Sequence, residues 1–207
     1  SCSMKILDVH THDLSHDAIV SKGPEASLMD DYLYSVGVHP WSVISSVDYE
    51  ILKEKCSDKR VIAIGECGLD FHKKEISQKL QEEIFIRHIE ISEELKKPMI
   101  IHCVNAHNQL LSLYKKYKPN QAWIIHGFRQ KPSIATPLIE AGMYLSLGSK
   151  FNSETAKLIP SDKLLIETDD SHQEITEVAK SVAMVINKNT YKLIGEIEEN
   201  LKCIFKF

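Results

Sequence analysis

KEISQKLQEEIFIRHIEISEELKKPMIIH, residues 74–102, reads as a helix that feeds a buried strand. Leu80, Ile84, His88, Ile91 and Leu95 fall on one stripe at helical spacing, with Lys, Glu and Gln elsewhere, which predicts a helix over 74–97. Pro98 stops it, and Met99-Ile100-Ile101 opens a short aliphatic run that ends on His102. A continuous run of this kind suits a strand covered on both faces, as in a parallel sheet.

The same design recurs on either side. Ile6-Leu7-Asp8-Val9 leads to His10-Thr11-His12, and Val61-Ile62-Ala63-Ile64 leads to Gly65-Glu66. Trp123-Ile124-Ile125 leads to His126-Gly127, and Leu164-Leu165-Ile166 leads to Glu167-Thr168-Asp169. Further helical patterns cover 106–117, 132–141 (closed by Gly142), 174–187 and 190–205. Strands alternating with helices predict an α/β fold with a parallel sheet. Eight candidate strands, Ile6–Val9, Ala18–Ser21, Tyr32–Val36, Val61–Ile64, Met99–Ile101, Ala122–Ile125, Met143–Leu147 and Lys163–Ile166, suggest a closed barrel. Residues 13–31 leave no room for full helices, so the expected fold is a distorted TIM-like (β/α) barrel with abbreviated early helices. No internal repeat, low-complexity tract or linker interrupts the chain, which is expected to be a single domain over 4–207. Ser1-Cys2-Ser3 precede Met4, read as the native start, and are left out of the fold reasoning.

Composition narrows the class. The 207 residues are 43% hydrophobic and 26% charged, ordinary for a globular domain that buries a sizeable core. No apolar run approaches the ~20 residues that cross a bilayer, and no basic stretch followed by an apolar one marks a secretory signal. Five cysteines, an odd number without C-x-x-C spacing, do not form a disulfide framework, so a reducing cytoplasm is expected. The net charge of −4 argues against a tight duplex binder, although bound cations would add local positive charge.

Each of the five apolar runs ends on groups that bind metal or move protons. His10 and His12 sit two apart at a strand end, where period-two geometry turns both imidazoles to one side. Two unrelated polar residues at a strand end have the same spacing, so the pair alone leaves both readings open. Glu66 stands between Gly65 and Gly68, in what is expected to be a crowded turn, and a carboxylate can bridge two cations. His102 and His126 end successive strands and together can hold a cation, though either alone suits a buried packing role. Asp169 can ligate a metal and accept a proton from bound water, or can serve as a turn residue. A set of four histidines and two carboxylates suits zinc, manganese, nickel or iron better than calcium, while magnesium would prefer more oxygen. One or two such ions would generate hydroxide for cleaving phosphoesters, amides or lactones, and the ligands alone do not choose among them. Cys67 and Cys103 adjoin these positions as soft secondary ligands or as small packing residues.

In order along the chain, Asp8-Val9-His10-Thr11-His12, Gly37-Val38-His39-Pro40-Trp41, Gly65-Glu66-Cys67-Gly68-Leu69-Asp70, Ile101-His102, Ile125-His126-Gly127-Phe128 and Ile166-Glu167-Thr168-Asp169 resemble the TatD-related family of metal-dependent hydrolases, within the amidohydrolase superfamily. Gly142-Met143-Tyr144-Leu145-Ser146 and Asn200-Leu201-Lys202-Cys203-Ile204-Phe205 fit as well, so the resemblance spans nearly the whole chain. It implies a TIM-like barrel with one metal on His10, His12, Glu66 and Asp169. Glu66 would bridge to a second metal on His102 and His126. His39 would stand near the substrate as a phosphate or scissile-group contact, and Asp169, Glu66 and His39 would carry catalysis. The implied activity is metal-dependent deoxyribonuclease action.

Departures from the family pattern fall on the substrate side. The chain is short between residues 13 and 31. Val104 stands where an arginine is often found, and His126 is followed by Gly127-Phe128-Arg129-Gln130. Asp169 is followed by Asp170 where a proline is usual. His72, Lys73 and Arg129 remain as candidate phosphate contacts. The expected function is therefore a phosphodiesterase acting on DNA. Two alternatives stand beside it: a hydrolase of a small amide, ester or lactone, and a metal-binding barrel without catalysis.

Overall fold

A computed structural model describes residues 6–42 and 46–206. Its strands are β1 (Asp8–Thr11), β2 (Ala18–Lys22), β3 (Leu33–Val36), β4 (Val61–Asp70), β5 (Met99–Val104), β6 (Trp123–Ile125), β7 (Tyr144–Leu147) and β8 (Leu164–Ile166). They follow in chain order as a closed barrel of parallel strands. The helices are α1 (Tyr49–Cys56), α2 (Gln78–Leu95), α3 (His107–Tyr117), α4 (Pro132–Ala141), α5 (Ser153–Leu158), α6 (Ile175–Val185) and α7 (Thr190–Phe205). Among the described residues no helix separates β1, β2 and β3, as the short segment 13–31 leads one to expect. The sequence reading did not anticipate α1 or α5. They are only eight and six residues long, and α1 buries only Leu52 and Cys56, too few apolar positions to establish a period.

The chain divides into two compact units, one from Ser21 to Trp123 and one from the residues on either side of that span. In the central unit, β3, β4 and β5 pair in parallel. Helix α1 starts at Asp48, whose carboxylate accepts the N–H groups of Glu50 and Ile51 at 3.1 Å. Helix α2 starts at Ser77, whose hydroxyl accepts Leu80 N–H at 3.1 Å, and it ends at Lys96 in the left-handed conformation, two residues before Pro98. Its inner face buries Ile84, Phe85, Ile89 and Ile91, and Phe85 meets the ring of Trp123 at 5.4 Å. Each large apolar side chain so covered contributes about 1.5–3 kcal/mol.

Strand β4 differs most from the sequence expectation. Instead of ending at Ile64 and turning, it continues to Asp70, and Glu66 lies inside it at a shift of register between Gly65 and Cys67. Glycine makes this possible. Gly65 and Gly68 have φ of +155° and +150°, and a Cβ on them would stand 2.3 Å from Ile100 O and 1.9 Å from His102 O. With no side chain there, β4 lies close against β5 through the bulge. Gln81 of α2 fixes the far end of β4, accepting Asp70 N–H at 2.7 Å and donating to Asp70 O at 2.9 Å.

In the second unit, Asp8 of β1 stands opposite Ala18 of β2 and Ile166 of β8, and β7 pairs with β8. Helix α7 is capped by Asn189, which accepts the N–H groups of Tyr191 and Lys192. Asn200 anchors α7 by donating to Ser161 O at 2.7 Å and Leu164 O at 3.0 Å. Helix α6 buries Val178, Ala179, Val182 and Ala183.

Candidate metal centre

In the second unit, the ends of β1 and β8 carry His10, His12 and Asp169. Asp8 ties these ends together: its buried carboxylate accepts the N–H groups of His10 and Thr168, both at 3.1 Å, and the Thr168 hydroxyl. Burial pushes Asp8 up to about 6 against those hydrogen bonds. Asp169 N–H donates to His10 O at 2.8 Å, and Asp169 adopts a left-handed backbone with φ of 53°. That conformation turns its side chain toward the histidines, with Oδ1 at 3.3 Å from Nε2 of both His10 and His12. Burial alone would raise Asp169, but hydrogen bonds from His10 and His12 and the charge of His10 and His126 hold it well below the usual carboxylate range. The His126 ring lies 4.1 Å from that of His10, and His126 Nδ1 is 3.1 Å from Glu167 Oε2. Glu167 is held in turn by Gly127 N–H at 2.8 Å.

In the central unit, Glu66, His102 and His39 meet. Glu66 Oε2 is 3.0 Å from His39 Nε2 and 3.1 Å from His102 Nδ1. His39 Nδ1 accepts Trp41 N–H at 3.0 Å, so in a neutral ring the proton sits on Nε2 and points at Glu66. His102 Nε2 is 2.9 Å from Asp70 Oδ2, which also accepts the indole N–H of Trp41 at 2.6 Å. Asp70 is pushed up by burial and brought down further by the His102 and Trp41 hydrogen bonds, so its net position is below the ordinary carboxylate value.

Both clusters suit a divalent cation by their donor chemistry. The ligand atoms of His10, His12 and Asp169 lie within 4.8 Å of one another, as do those of His39, Glu66 and His102, and those of His126, Glu167 and Asp169. His102 faces a carboxylate with each ring nitrogen, yet a neutral imidazole has one N–H and satisfies only one of them. Glu66 and His102 would together hold a cation with Asp70 behind the ring, in the carboxylate–histidine–metal arrangement typical of such centres. Nitrogen and carboxylate donors in these numbers fit zinc, manganese, iron or nickel.

Of the residues singled out as phosphate contacts, Lys73 is half-buried and places Nζ 5.2 Å over the Trp41 ring. His72 and Arg129 are exposed. Cys67 is buried, with Sγ 3.9 Å from Ile100 O, and burial raises its thiol far above the ordinary range. Burial likewise pushes Cys103 up to about 12. Metals take the thiolate, so the protonated thiols fit packing. Asp70 and Glu167, the carboxylates behind His102 and His126, had no role assigned from sequence. Strand period two was the available signal, since it sets Asp70 on the face of Glu66 once β4 continues through the glycines.

The family model for TatD related DNase matches residues 5–206. This chain belongs to the TatD-related DNase family. Among its TatD-related relatives, a protein of Buchnera aphidicola subsp. Baizongia pistaciae named as an uncharacterized metal-dependent hydrolase is 37% identical over 150 residues, covering 68% of this chain and 56% of the relative. An Erwinia tasmaniensis protein named 3'-5' ssDNA/RNA exonuclease TatD is 32% identical over 153 residues, covering 67% of this chain and 58% of the relative. The chain thus spans little more than half the length of the curated relatives it matches. In fold it is similar to the crystal structure of YjjV, a TatD homolog from Escherichia coli K12, with a TM-score of 0.84 at 17% identity, covering 99% of each chain. A TatD family hydrolase from Entamoeba histolytica gives a TM-score of 0.79 at 14% identity, also covering 99% of each chain. No helix among the described residues is long and apolar enough to cross a membrane.

Proposed function

We propose that this chain is a metal-dependent hydrolase of phosphodiester bonds in single-stranded nucleic acid, with His10, His12, Glu66, His102, His126 and Asp169 as ligands for one or two divalent ions. The observation that carries the reading is the approach of His10 Nε2 and His12 Nε2 to a single oxygen of Asp169, each at 3.3 Å. Three donor groups of these types around so small a space are the composition of a transition-metal site. The nucleic-acid part rests on the family and on relatives named as exonucleases of single-stranded DNA and RNA.

A divalent ion held by His10, His12 and Asp169 would supply hydroxide at neutral pH and Lewis acidity toward a phosphoryl oxygen. Asp169, set against His10 and His12, is the carboxylate placed to accept a proton from the attacking water. His39, whose Nε2 proton faces Glu66, would turn that hydrogen bond to a substrate oxygen once Glu66 holds a cation. Asp70 and Glu167 orient the rings of His102 and His126. Lys73 and Arg129 offer positive charge, and His72 an imidazole, as phosphate contacts on a protein of net charge −4. Free buried thiols such as Cys56 and Cys67 suit a reducing compartment such as the cytoplasm.

The test is incubation of the purified protein with end-labelled single-stranded DNA, with added manganese or magnesium and with chelator. Degradation that needs metal and stops with chelator supports the reading. Turnover of small esters or lactones with none of DNA would move the substrate class. No turnover of either by metal-loaded protein would sink the enzymatic reading.

A further inference from the structure

The chain has two tryptophans, and they are placed in opposite ways: Trp123 is fully buried, whereas Trp41 is 54% exposed. Trp41 is nevertheless held. Its indole N–H donates to Asp70 Oδ2 at 2.6 Å, and its ring meets His39 at 4.9 Å and His102 at 5.6 Å, both edge to face. The hydrogen bond to Asp70 asks only for a donor; it does not ask for a large aromatic surface left in water. Lys73 places a cation over one face of the same ring, with Nζ 5.2 Å from its centroid, which leaves the opposite face or a displaced lysine arm to admit a base. A fixed π-face and a long-armed ammonium thus lie together next to the His39–Glu66–His102 cluster.

A nucleotide matches both features in one unit, since its base offers a flat π-face and its phosphate a negative charge a few bonds away. We infer that Trp41 and Lys73 form a nucleotide subsite, in which the unpaired terminal base of a single strand stacks on the indole and the adjoining phosphate pairs with the ammonium. The subsite rests on the phosphodiesterase reading and adds to it a cause of selectivity. A base inside a duplex already has both faces stacked, whereas a free terminal base gains a partner worth about tenfold in affinity. Stacking tolerates any base, so no sequence preference is expected.

The test uses metal-loaded protein and dye-labelled single strands whose last linkages are phosphorothioates, so that they are not consumed. One strand set ends in bases at both termini, and the other ends in abasic residues of equal charge. Wild type is expected to bind the base-ended strands about tenfold or more tighter by anisotropy. Binding of unlabelled strand should quench the emission of the exposed Trp41, since Trp123 is sealed in the core. In Trp41→Leu the preference should fall to about one, while Trp41→Phe, which keeps a π-face, retains part of it. Lys73→Ala should weaken both strand sets alike and lower the salt slope by about one charge. The preference compares two ligands on one protein, so a variant that folds poorly lowers both affinities and leaves their ratio meaningful.

A preference unchanged in Trp41→Leu, or absent from wild type, overturns the subsite. A flat ratio beside intact hydrolysis sinks the subsite alone. An intact preference beside no hydrolysis of any phosphodiester supports the subsite and counts against the catalytic reading.

Discussion

Asp70 Oδ2 lies 2.9 Å from His102 Nε2, across the imidazole from the nitrogen that faces Glu66. A carboxylate in that place fixes the ring and makes its other nitrogen a better donor to a cation. Asp70→Asn keeps the size of the side chain and removes its charge. It should weaken divalent-metal binding by about 10–100-fold with little change in thermal stability. Isothermal titration with zinc beside a thermal melt checks this, and unchanged affinity would show that Asp70 does not act through His102.

Gly68 should not accept a side chain. An alanine Cβ would sit 1.9 Å from His102 O on a backbone with φ of +150°. Gly68→Ala should cost about 3 kcal/mol or more, because β4 must move away from β5 and take Glu66 with it. Urea unfolding measures the cost, and a loss under about 0.5 kcal/mol, typical of neutral surface changes, would contradict the close approach.

His88 gives the fold a pH dependence of its own. Its Nε2 accepts Val38 N–H at 3.0 Å and its Nδ1 donates to Ile84 O at 2.8 Å, so the buried ring is neutral. Burial lowers its pKa from 6.5 to about 4. Between those values the unfolded chain binds the proton and the folded chain does not. Stability is therefore full above pH 6.5 and falls as the pH drops toward 4, by roughly 3 kcal/mol from this residue. Comparing wild type with His88→Gln over that range isolates the effect from other histidines; equal slopes would refute it.

The fold was legible because its signals are local and repeated. Aliphatic runs such as Met99–Ile101 mark strands, and the stripe from Leu80 to Leu95 marks α2. The ends of strands were harder. Past Ile64 the chain presents glycine, charge and cysteine, which read as a turn, and only the contact of Gly65 and Gly68 with the β5 backbone explains why β4 continues. The proposed ligands His10, His12, Glu66, His102, His126 and Asp169 could be picked out because each follows an apolar run. Asp70, Glu167 and Asp8 hold His102, His126 and Thr168, partners distant in sequence; strand spacing could have set Asp70 on the face of Glu66, but it carries no trace of which residue each carboxylate meets. The burial of Trp123 follows from its place in an apolar strand run, whereas the exposure of Trp41, in a Pro-containing turn, left no sequence signal.

The most direct measurement is hydrolysis of single-stranded DNA by chelator-stripped protein during stepwise return of manganese or zinc, for wild type and Asp169→Asn in parallel. Stripped wild type should be inactive, turnover should climb with metal occupancy and then level off, and Asp169→Asn should remain without turnover while still folded. Hydrolysis that ignores added metal, or fully loaded wild type that cleaves no phosphodiester, would contradict the account.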